Sequence, residues 1–165
     1  MKKNQIGAVL ILEFAVIAAV FVMDLVVCTG YEQWLHYLQA YFDIPTFFCI
    51  LVFTLPMLFA SGAGKDFGRA FRIGKQTFSI AQMRKSLEAV KLMQKLIMYG
   101  SLFTMGIAFI VVLHSMEIPA SIGPTVAIIC LTLVYASILE VLLLPLHLNV
   151  QNALTDAMDI IDEEE

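Results

Sequence analysis

A chain of 165 residues that is 60% hydrophobic, 15% charged and +0.86 in mean hydropathy has too few polar side chains to coat a separate soluble domain. Its net charge of −4 does not suit a nucleic-acid partner, and its ten Lys and Arg all fall in two stretches, Lys2–Lys3 and Lys65 to Lys95. Basic residues stay on the cytoplasmic side during insertion, so both stretches are placed there and an even number of crossings must separate them.

A bilayer core of about 30 Å requires about 20 apolar residues per helix. Runs of that size fall at 6–28, 44–62, 96–116 and 122–146. The predicted fold class is therefore an all-α membrane protein with four transmembrane helices, one domain, and both termini cytoplasmic. In the first run, Glu13 stands among apolar residues. Lys2–Lys3 followed by an apolar run also has the look of a secretory leader, but the run is long, Glu13 interrupts it, and no small-residue cleavage site follows. Between the first and second runs, Tyr31, Trp34, Tyr37 and Tyr41 occur without a basic residue. That stretch reads as an external aromatic belt, with a short surface helix near Gln33–Ala40.

The loop 63–95 is the cytoplasmic segment. Gly62-Ala-Gly-Lys65 lacks the spacing of a phosphate-binding loop. Ser79 is a predicted N-cap, and Ile80, Met83, Leu87 and Val90 recur at helical spacing after it. Arg84, Glu88 and Lys91 alternate in sign on another face. This helix is predicted to run unbroken into the third crossing and to project into the cytoplasm. Its apolar stripe requires a cover: the same helix of another subunit, the tail helix, or the membrane surface. A turn around Glu117–Ser121 follows, with Pro119 as the stop signal. The tail 147–165 ends in Asp and Glu and reads as a solvated acidic end; the basic loop is suited to anionic lipid headgroups. The three cysteines, Cys28, Cys49 and Cys130, have no metal spacing and act as small apolar residues.

Helices in lipid associate through small residues and hydroxyls. The third crossing has Gly100, Thr104 and Ala108 at four-residue spacing, and the fourth has Thr132, Ala136 and Glu140. Two matched stripes suggest a shared polar lumen. The plainer reading is helix packing, with each hydroxyl bonded to its own backbone. Glu140 and Glu13 are placed at comparable depth, where they could share a polar site, since intramembrane carboxyls face a bundle interior or water; the plainer reading of each is a neutral, hydrogen-bonded structural carboxyl.

Ser121-Ile-Gly123-Pro124-Thr-Val-Ala, with Thr132, Tyr135 and Pro145 further on, resembles the last helix of the MotA/TolQ/ExbB family. Tyr99-Gly100-Ser-Leu-Phe-Thr104-Met-Gly106 is similar to the family's Gly-x-x-Gly-Thr signature, and Phe42-Asp-Ile-Pro45-Thr to the start of its second helix. The resemblance implies a homopentamer around two single-span MotB/TolR/ExbD-like subunits, each with an intramembrane Asp, in the bacterial inner membrane. Thr104 and Thr132 would line the ion path, with Glu140 and Glu13 at its inner exit. Gly100, Ala108 and Ala136 would be small pore-facing residues, and Gly123, Pro124, Tyr135 and Pro145 structural ones. The transported ion is read as H+, with Na+ the alternative, and neither a cofactor nor covalent chemistry is expected. Departures stand at Phe103 and Glu140 and in a loop far shorter than the MotA insertion that engages the flagellar rotor. From a different class comes the alternative of a four-helix scaffold without an ion path; a self-contained transporter ranks last, for want of internal repeats.

Overall fold

A computed structural model describes residues 5–29, 43–73, 76, 78–114 and 119–164. They form five helices: α1 Gln5–Thr29, α2 Ile44–Ala60, α3 Gly64–Ala70, α4 Ile80–His114 and α5 Pro119–Glu164. The aromatic stretch 31–41 and the surface helix expected in it, Lys2–Lys3, residues 115–118 of the expected turn and the side chain of Cys28 lie outside the described residues. The described chain is all-helical. Three helices (α1, α4 and α5) are long and apolar enough to cross a membrane by themselves, and α2 passes the same test only together with α3. These are the helices of a multi-pass membrane protein.

Lengths explain the division. At 1.5 Å per residue, the 17 residues of α2 extend about 25 Å, just short of a hydrocarbon core of about 30 Å. The 35 residues of α4 and the 46 of α5 extend about 52 and 69 Å, so both stand well beyond the bilayer. The long α4 was expected. In α5 the apolar run 122–146 and the acidic tail belong to one helix, which passes through Pro145 and continues to Glu164. Pro119 opens this helix instead of stopping one; a proline fits the first turn, where its missing N–H has no helical acceptor.

After α2 the chain bends by 105° into α3. Ser61 N–H still bonds Met57 O and Gly62 N–H bonds Phe59 O, each at 3.0 Å, and Gly62 then takes φ +75°. That left-handed conformation is open to glycine without Cβ strain. α3 therefore lies roughly across the axis of α2.

Ser79 starts α4 as expected, through a reciprocal box. Its hydroxyl accepts from Gln82 N–H at 3.4 Å, and its own N–H donates to Gln82 Oε1 at 3.2 Å. The apolar stripe of α4 finds its cover within the chain. Leu87 and Val90 are buried with Leu146, Val150 and Leu154 of α5 and Ala70 and Ile73 of the loop, while Ile80 and Met83 pack on the edge. Asn149, buried on α5, donates to Ile73 O at 3.4 Å and ties the loop to this core. Beyond the bilayer such burial is driven by water. Within lipid it is not, and close approach takes over.

That approach is seen where α4 meets α2. A Cβ on Gly100 would lie 2.8 Å from Phe53 Cδ1 and 3.4 Å from Thr54 Cγ2. Lower down, Leu58 of α2, Met93 and Ile97 of α4 and Ala136 of α5 form a second buried cluster. α1 leans on α5 alone among the major contacts, and its half-buried residues Leu10, Glu13, Ile17 and Phe21 trace one helical stripe. Its remaining surface is exposed Ile, Val, Leu and Phe, as lipid contact allows.

Candidate functional site

The upper part of the bundle has an open groove of about 860 Å³ between α2 and α4, closed at one end by Ile128 of α5. Its walls are apolar, chiefly Phe48, Val52, Phe53, Phe103 and Ile107, and its polar atoms come from Asp43, Thr46 and Thr104. Cys49 is exposed on the same wall as a free thiol. Local chemistry holds the polar end in place. Thr46 Oγ1 donates to Asp43 Oδ2, Asp43 N–H donates to the Tyr135 hydroxyl at 2.8 Å, and the Tyr135 ring meets Phe47 edge-on at 5.7 Å. Thus Tyr135 of α5 anchors the start of α2. Thr104, half-buried and lining the groove, donates to Gly100 O at 2.9 Å, which leaves its oxygen lone pairs free to accept.

A second polar feature lies where α4 and α5 leave the bilayer. His147 Nδ1 donates to Gln94 Oε1 at 2.9 Å, and the Gln94 amide bonds the Glu140 carboxyl. All three side chains are half-buried. Glu140 and His147 are seven residues apart on α5, hence on one face, and Gln94 of α4 bridges them across the interface. The three side chains form a polar chain from within the fourth apolar run to its C-terminal end.

No protein-family model, curated protein or solved structure matches this chain. The site must therefore be judged on its own residues.

The two threonines part company. Thr104 lines the groove, whereas Thr132 is 0% exposed, donates to Ile128 O at 2.7 Å and is sealed between helices. On α5 it is Ile128, one turn before Thr132, that lines the groove, while Thr132 is enclosed by its neighbours. Of the small residues, Ala108 lines the groove, Gly100 is pressed against Phe53 and Thr54, and Ala136 belongs to the buried cluster with Ile97. Gly100 and Ala136 thus act in packing. Gly123 and Pro124 are exposed near the start of α5, and Pro145 is buried.

No hydrogen bond joins Glu13 Oε2 to Glu140: that oxygen is buried without a hydrogen-bond partner among the described residues, and Gln94 is the neighbour of the Glu140 carboxyl. Glu13 sits on the α1 stripe that meets α5, while Gln94 reaches Glu140 from α4. Residues that sequence reasoning passed over are Asp43, Thr46, Cys49, Gln94 and His147. For His147 a signal existed, in its seven-residue spacing from Glu140; Gln94 on the other helix had none.

The bridge yields a stability prediction. Gln94→Leu removes the group that satisfies both neighbours, and an unsatisfied buried polar group costs about 1–3 kcal/mol. Thermal unfolding of the detergent-solubilised protein should fall accordingly. Adding Glu140→Leu to that variant should recover part of the loss, because the orphaned carboxyl is then gone.

Proposed function

We propose that this chain is the multi-pass subunit of an ion-driven motor complex of the MotA/TolQ/ExbB type. Five copies would surround single-span partner helices in the bacterial inner membrane, with both termini and the α4–α5 extension in the cytoplasm. Protons, rather than sodium ions, would cross along the partner's carboxylate and the Thr104 face, and the Glu140–Gln94–His147 chain would serve the inner exit. The energy source is the membrane potential, about 2.3 kcal/mol per charge per 100 mV.

The observation that carries this reading is the groove with Asp43, Thr46 and Thr104 on an otherwise apolar wall. An acyl chain would fill the apolar part as well as a helix does, but it offers nothing to oxygens at membrane depth. A partner helix with one polar side chain fits both. The short cytoplasmic loop gives no support to flagellar rotor contact, so the driven machine is left open.

A second reading, a scaffold without an ion path, has its own support. Thr54, Ser101, Thr104, Thr132 and Ser137 all donate to carbonyls three or four residues back in their own helices. Cys49 discriminates between the two. In a Cys28→Ser, Cys130→Ser background, a photoreactive maleimide on Cys49 is expected to capture a short single-span protein in intact membranes. Adducts to lipid alone would leave the scaffold standing and remove the motor.

A further inference from the structure

The 105° bend sets α3 across the axis of α2, so a membrane-crossing α2 places α3 along the bilayer surface. One face of α3 is already used: Ala70 is fully buried in the cytoplasmic core and Phe67 packs on both clusters. Away from that face stand Lys65 and Arg69 of α3, four residues apart, and Arg72 in the turn that follows the helix. Together with Gly68, Gln76 and Phe78 they outline a cleft of about 410 Å³.

Charge in this cleft is unbalanced. Asp66 pairs with Arg69 and fixes its guanidinium, but among the described residues Lys65 and Arg72 have no carboxylate within ion-pair distance. Gly68 leaves space between the cations, for a Cβ there would meet nothing within 4 Å. Phe71, next to Arg72 in the chain, meets Phe67 edge-on at 5.5 Å and is 54% exposed, an apolar side chain near the cleft in sequence. A phosphodiester suits the forked guanidinium donors, and an acyl chain attached to it suits Phe71. A free phosphate would use only the first of these.

We infer that the Lys65–Arg69–Arg72 cleft binds the phosphate of an anionic phospholipid, in the leaflet facing the α2–α3 bend. This site holds α3 at the membrane surface and does not depend on ion coupling.

The test is titration of the full-length protein, in neutral detergent, with phosphatidylglycerol or phosphatidylcholine, read by native mass spectrometry. Phosphatidylglycerol should be retained in preference. Each basic residue at an anionic surface contributes about fivefold, so K65Q/R72Q should weaken that binding about 30-fold while the Asp66–Arg69 pair stays. Gly68→Leu, which fills the cleft and changes no charge, should weaken it too. R84Q/K85Q removes equal charge from α4 and should leave it unchanged. Equal retention of the two lipids, an undiminished Gly68→Leu variant, or an equal loss in R84Q/K85Q overturns the site. Displacement of the lipid by inorganic phosphate alone overturns its assignment to a lipid.

Discussion

Thr104→Val is expected to lower ion flux through the assembled complex roughly 10- to 100-fold, given that hydrogen bonds to charged groups contribute about 1.5–3 kcal/mol. Thr132→Val should leave it within about twofold, the spread that near-neutral substitutions produce. Both changes are isosteric. Both remove a hydroxyl whose proton is already given to a carbonyl of the same helix. What differs is the setting, because Thr104 lines the groove and Thr132 is 0% exposed. A permeating cation takes electron pairs, so only the accessible oxygen counts. The measurement is dye-reported acidification of vesicles containing this chain with the partner captured on Cys49. If the two variants lose flux equally, the sealed position of Thr132 does not persist in the assembly; if neither loses it, the groove is no ion path.

Much of the fold could be read before the structure, and the reasons differ by region. Outside the bilayer, apolar and polar residues mean inside and outside, and so Ile80, Met83, Leu87 and Val90 marked the buried side of α4 correctly. The same pattern exists on α5 in Leu146, Val150 and Leu154 at four-residue spacing, in the tail helix, one of the three covers expected for α4. In α5 the helix absorbs the proline without ending. Within the bilayer the pattern loses its meaning, since lipid and protein interior are equally apolar. Thr104 and Thr132 look alike by sequence, and only their placement among the neighbouring helices separates them. Glu140 was singled out because a carboxyl is costly there. Its partner Gln94 lies on another helix, at a register that no single-chain spacing encodes.

Gly100→Leu should destabilise the monomer by about 1–3 kcal/mol, the usual range for overpacking a filled interface. Two effects compete. Leucine has the higher helix propensity, worth about 0.8 kcal/mol over glycine in water. Against it, the first carbon alone would stand 2.8 Å from Phe53 Cδ1 and 3.4 Å from Thr54 Cγ2. Phe53 cannot simply turn away, because it stacks on Phe103 at 5.6 Å, and Thr54 is fully buried. α2 must therefore move off α4, which opens the lower wall of the groove. Gly106→Leu is the matched control. It sits on the same helix, brings the same propensity gain, and meets nothing within 4 Å at its Cβ, so the monomer should be unharmed. Unfolding of both variants in detergent separates packing from propensity: equal stability would mean that the α2–α4 approach at Gly100 contributes nothing. Loss of complex formation by Gly106→Leu, in a monomer as stable as the parent, would identify that open face of α4 as one that another chain covers.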